Sequence, residues 1–130
     1  MAASKPLAPT HPKPWPEAAR EALAEIRAWC EHRHWLVHEE SKAFSEEPWG
    51  RYELPALVVQ GPTVRLRVEP RGGDIIGAEG RIDVTCFPML TGFMLLLVDG
   101  QWRAATDEHM LLDGQGSEAE FARLVADASR

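Results

Sequence analysis

Lysine is scarce in this chain. It occurs at Lys5, Lys13 and Lys42, against eleven arginines. With none after Lys42, the C-terminal two thirds has no Schiff-base lysine to offer. The same gap undercuts a nuclease-type metal site. Gly80-Arg-Ile-Asp83 supplies one half of such a site, but the acid-x-Lys that would orient the water is missing downstream. Glu40-Ser-Lys42 has that spacing, upstream and in the wrong order. No Gly-x-Ser-x-Gly elbow is present, which removes one nucleophile signature.

Positive charge is short overall. Fourteen Lys and Arg face twenty Asp and Glu, giving a net charge of −6. Proteins that hold nucleic acid without sequence preference neutralise phosphates with Lys and Arg, so this balance argues against nucleic-acid binding. It argues against a membrane surface for the same reason. Long apolar runs are absent too: Phe93–Val98 is the longest, against the ~20 residues that span a bilayer. The first sixteen residues hold no apolar stretch of the kind a secretory signal needs, so a cytoplasmic protein is expected. Cys30 and Cys86 are too few for a disulfide framework and read as reduced core residues.

What is present fits one domain of 130 residues, with 45% hydrophobic and 26% charged side chains. Residues 1–15 carry four prolines and read as an extended or disordered arm, with Pro9-Thr-His-Pro12 in P-x-x-P spacing. The folded unit is expected over 16–130. A first helix should start at Pro16 and end between His32 and His34. Its apolar stripe is Ala19, Ala22, Leu23, Ile26, Trp29 and Cys30.

Strands should follow. Trp35–Glu40 is a weak one, and Ser45–Gly50 a loop. Glu53–Gln60 and Thr63–Glu69 are stronger, the latter with Val64, Leu66 and Val68 inward and Arg65, Arg67 and Glu69 outward. After the glycine-rich loop Gly72–Gly80, Arg81–Phe87 alternates again. Gly92–Val98 is apolar on both phases and reads as a central strand covered on both faces. Asp99-Gly100 marks a hairpin leading to the strand Gln101–Ala105. Ser117 and Glu120 have capping-box spacing and open a second helix with Phe121, Leu124, Val125 and Ala128 inward.

The order predicts a two-layer α+β fold: an N-terminal helix, an antiparallel sheet of about five or six strands and a C-terminal helix. The layout is similar to a cystatin-like sheet gripping a helix. The expected core is Leu23, Ile26, Val64, Leu66, Val68, Ile82, Val84, Leu95, Leu97, Phe121 and Leu124.

Three clusters could carry chemistry. If the first helix continued, Cys30, His34 and His38 would share a face and could offer a thiolate and two imidazoles to zinc. If the chain turned extended at His34, His32, His34 and His38 would align instead. The plain alternative places Cys30 in the core and the histidines at a helix C-terminus, where imidazolium suits the dipole. Asp107, Glu108 and His109 form a loop cluster in which Asp107 and His109 could work as an acid/base pair. Gly72–Gly80 has one spacing of a phosphate loop, but Asp74 and Glu79 oppose phosphate and no Lys-Ser/Thr follows.

Trp49, Arg51 and Tyr52 are residue types enriched at binding hot spots, set in a loop between acidic residues. Trp49 could equally fold back as core. Together these features predict a non-catalytic protein-interaction or small-ligand-binding module, in the manner of an inhibitor or immunity domain. Its partner would be a basic protein drawn by the acidic charge. A small metal-dependent or acid/base enzyme is the alternative. Monomer and homodimer are both open.

Overall fold

The computed structural model describes residues 14–73, 78–88, 90–105 and 118–129. Among the described residues two helices, one at each end of the sequence, flank a six-stranded antiparallel meander, as the element order predicts. They are α1 (Trp15–His32), β1 (Leu36–Glu46), β2 (Gly50–Gln60), β3 (Arg65–Gly72), β4 (Gly80–Cys86), β5 (Thr91–Val98), β6 (Gln101–Ala105) and α2 (Glu118–Ala128). The strands lie side by side in chain order. No described helix is long and apolar enough to cross a membrane.

α1 begins at Trp15, one residue before the position expected from Pro16. Pro14 stays extended, and its carbonyl accepts the first helical bond from Ala18 N–H at 3.0 Å. Pro16 lacks an N–H, but the first-turn donors have no intrahelical acceptor in any case. Trp15 therefore belongs to the folded unit, and its ring is buried. The remainder of the proline-rich arm, 1–13, lies outside the described residues.

The other end of α1 closes in a Schellman motif. His34 N–H donates to Glu31 O at 3.0 Å and Trp35 N–H to Cys30 O at 3.1 Å. The left-handed position of this motif favours glycine, yet His34 occupies it at φ 62°. Trp35 then lies against Gly61, where an added Cβ would sit 2.5 Å from its ring. That contact fixes the entry into β1.

One layer of the core is the inward phase of the sheet: Leu66 and Val68, Ile82, Val84 and Cys86, Phe93, Leu95 and Leu97, Trp102 and Ala104. The other is the buried stripe of α1 with Phe121, Leu124 and Val125 of α2. Phe121 joins the parts, its ring 5.6 Å from Trp29 and 5.9 Å from Phe93. Every residue of the expected core is buried except Val64, which is half-buried because it sits in the β2–β3 turn.

Three strand expectations need correction. β5 is next to the sheet's edge, not central. Its second apolar phase reflects local burial, since Met94 and its cross-strand partner Ala105 are both buried. β1 runs on to Glu46, and only Glu47–Trp49 form the turn. The polar stretch Ser41–Glu46 has no alternation to announce a strand; β2 holds it in place by an unbroken register from Leu36↔Gln60 to Glu46↔Gly50. β2 meets β3 only over Leu57–Gln60, so the distal half of this hairpin projects beyond the sheet.

The β5–β6 connection is the expected two-residue turn, with Asp99 at φ 51° and Gly100 at φ 74°. The Glu79 carboxylate accepts both turn N–H groups, at 2.8 and 3.2 Å. A loop acid that argues against phosphate in the sequence here caps a hairpin.

Candidate functional site

The hairpin tip holds the predicted aromatic pair, but it is bound inward. Tyr52 stacks on Phe44 at 5.0 Å and meets Trp49 edge-on at 6.4 Å. Its hydroxyl accepts from Trp15 Nε1 at 2.9 Å and donates to the Glu46 carboxylate, which also accepts Gly73 N–H at 3.1 Å. Burial, followed by the bond to Glu46, pushes the phenol pKa up. Trp49 is half-buried against the core, and only Arg51 is exposed. Of Trp49, Arg51 and Tyr52, the two aromatics are mainly structural. They clamp the projecting hairpin to α1 and to the start of the glycine-rich loop.

Cys30, His34 and His38 do not come together. α1 stops at His32, so the helical face that would align them is never built. Cys30 is fully buried in the core, while His34 sits exposed in the turn and His38 exposed on β1. The extended alternative fails as well, because the left-handed residue at 34 separates the helix from the strand. Among the described residues no three His, Cys, Asp or Glu side chains are grouped as a metal site. Asp107 and His109 lie outside the described residues.

Burial pushes the Cys30 thiol up to about 12, with Arg33 opposing and Glu31 and Glu118 assisting. Burial also raises Cys86. A thiol becomes reactive only as thiolate and only where a reagent reaches it. Neither cysteine of the native chain is expected to react with an aromatic disulfide reagent at pH 8, and both should react on unfolding. Rapid stoichiometric labelling of the native protein would overturn this placement.

The outward face of the sheet is covered by neither helix. Its β1–β4 part is an ion-pair lattice. Arg67 meets Glu40 at 2.8 Å, Lys42 meets Glu69 at 3.2 Å, and Arg71 reaches Glu69 at 3.5 Å and Asp83 at 3.6 Å. Arg81 closes on Asp83 with two bonds, at 2.6 and 3.1 Å. The lattice crosses β2 over Ala56, whose small side chain is buried beneath it. Burial would raise the Glu69 carboxyl, but Lys42, Arg67 and Arg71 together hold it below the usual range. This is the cross-strand pairing of opposite charges that the outward positions Arg67, Glu69 and Asp83 imply.

Toward the β2–β3 turn the same face changes character. Val58 and Phe87 are 37% and 39% exposed, and Leu36 is 76% exposed. Val58 stands between His38 of β1 and Arg67 of β3, while Phe87 donates its N–H to Arg65 O at 2.9 Å. Val58 and Phe87, but not Leu36, line a shallow depression of about 210 Å³, bordered by Arg65 and Arg67. Arg67 is committed to the lattice. Arg65 is exposed and makes no ion pair among the described residues.

No protein-family model, curated protein or solved structure matches the chain.

Sequence reasoning missed Val58 and Phe87. The signal was there: each is an apolar residue on the outward phase of its strand. It was masked in Glu53–Gln60 by the apolar pairs Leu57-Val58 and Val58-Val59, and at Phe87 by its position at the strand's end.

Proposed function

We propose that the chain is a non-catalytic protein-interaction module. Its contact site is the Val58–Phe87–Arg65 end of the open sheet face. The observation that carries this reading is a pair of exposed apolar side chains around a depression, bordered by an arginine with no ion pair among the described residues. At about 210 Å³ the depression is smaller than the ~300 Å³ at which small-molecule pockets begin. One partner side chain fits that scale. The occupant is a protein segment that pairs an aromatic or aliphatic anchor with Asp or Glu. The net charge of −6 favours a basic protein at long range, whereas the contact patch favours an acidic segment. Contact complementarity sets which partner is accepted. The enzyme alternative draws nothing from Cys30, His34 and His38, which stand apart.

Peptides selected from a displayed random library against the intact chain should enrich an anchor residue beside one or more acids. Binding of a selected peptide should weaken at least tenfold in both Val58→Ser and Arg65→Glu, with circular dichroism unchanged. Failure to enrich, or binding that survives both substitutions, would sink the reading.

A further inference from the structure

The first strand is an edge of unusual length. β1 runs for eleven residues, about twice the common strand length of five to six. Among the described residues it pairs with β2 on one side only, because the sheet order begins with it. The other edge, β6, has five residues. Exposed edges are usually blunted by shortness, charged side chains, proline or a bulge. β1 is long, contains no proline and keeps an unbroken register with β2; of these devices it carries only charge, at Glu39, Glu40, Lys42 and Glu46.

The hydrogen-bond phase shows which groups face outward. Gly61 N–H donates to Val64 O at 2.7 Å, which makes 61/64 a bonded pair of the β2–β3 hairpin. Bonded pairs alternate along an antiparallel ladder, so the odd residues of β2 bond to β3. Its even residues then bond to β1, and the register carries this to the even residues of β1. Pro55, which has no N–H to give, fits this phase because it sits opposite Ser41 at a non-bonded pair. The N–H and C=O groups of Val37, Glu39, Ser41, Ala43 and Ser45 therefore point to the free edge. Three of these carry small, exposed side chains, Ser41, Ala43 and Ser45, which permit close approach.

We propose that β1 pairs antiparallel with β1 of a second copy about a two-fold axis at Ser41, joining two six-stranded sheets into one. The charges on the strand select this register. Ser41 is the midpoint of Leu36–Glu46, so full overlap sets Glu40 opposite the second copy's Lys42, and Lys42 opposite its Glu40. Moving the axis by one residue keeps the backbone phase but places Glu40 on Glu40 or Lys42 on Lys42. Like charges directly opposite are destabilising, and unlike pairs are favourable. Inside one chain, Glu40 already meets Arg67 and Lys42 already meets Glu69. The cross-edge pairs continue that alternation of sign from one sheet into the next. This surface is distinct from the Val58–Phe87 patch, and the two stand or fall separately.

The test is the mass of the intact chain by light scattering and sedimentation across a concentration series. A species of twice 14.5 kDa is expected. Glu40→Lys and Lys42→Glu should each be monomeric, because positions 40 and 42, which face each other across the axis, then carry charges of one sign. Mixed one to one, they should form a heterodimer. Ser41→Pro removes an N–H that only the second copy uses, so it should give a folded monomer. A wild type that stays monomeric at every concentration overturns the proposal. So does a dimer that survives Ser41→Pro, or charge variants that fail to associate when mixed.

Discussion

Trp15→Ala is expected to lower the unfolding free energy by about 3–5 kcal/mol, the range for removing a buried aromatic. The ring is 2% exposed. It lies over Gly73 and Gly80, where an added Cβ would come within 2.6 and 1.9 Å of it, and it meets Trp102 at 6.2 Å. Its Nε1–H donates to Tyr52, whose hydroxyl in turn binds Glu46. Truncation leaves a cavity under the first turn of α1 and frees the clamp on the projecting β1–β2 hairpin. Trp15→Phe keeps much of the ring and loses the donor, so about 1 kcal/mol is expected from the hydrogen bond, plus a smaller packing loss. Urea unfolding checks both: the midpoint should fall in that order at constant slope. Two variants within 0.5 kcal/mol of wild type would contradict this account of how α1 is anchored.

The same residue shows where the sequence stops being informative. Trp15 sits between prolines, in a composition that reads as an arm, and nothing local says that it is buried. Its partners are Tyr52, Gly73, Gly80 and Trp102, all more than thirty residues away. Elements whose burial is periodic were legible. The α1 stripe, the alternation of Leu66-Arg67-Val68 and Ile82-Asp83-Val84, and the Asp99-Gly100 turn each follow from spacing or from the φ a residue tolerates. Elements fixed by long-range pairing were not. The far half of β1 is polar in sequence and becomes a strand because β2 lies beside it. The end of α1 turned on one backbone position, His34, where glycine would have given a clear stop signal.

The candidate site divides along the same line. Histidines and a cysteine close in sequence drew attention, but a helix end separates them in space. The exposed patch needs Val58 from β2, Arg65 and Arg67 from β3 and Phe87 from the end of β4, which only the meander brings together. A sheet whose helices occupy one face leaves the other to charge pairs. Along β1–β4 that face is neutralised by its own lattice. The departures from this rule are the apolar end with Arg65 and the long outer edge of β1, and these are the two surfaces on which we propose that partners dock.

Gly92→Ala is the second large effect, expected to cost about 3 kcal/mol or more, at or above the upper range for overpacking. Gly92 lies opposite Thr85 in the β4–β5 ladder. A Cβ built on it falls 1.9 Å from the Val84 carbonyl oxygen and 3.1 Å from the Thr85 Cα. Those are backbone atoms, so no rotamer change relieves the overlap. The two strands must part at the middle of a core built from Val84 and Phe93. Gly50→Ala supplies the contrast. Gly50 has φ +69°, and nothing lies within 4 Å of an added Cβ. Its cost is the left-handed backbone alone, about 1–2 kcal/mol. The same methyl group thus tests two different constraints, a missing space and a forbidden dihedral. If chemical unfolding finds Gly92→Ala no worse than Gly50→Ala, the close approach of β4 and β5 is not what holds glycine at position 92.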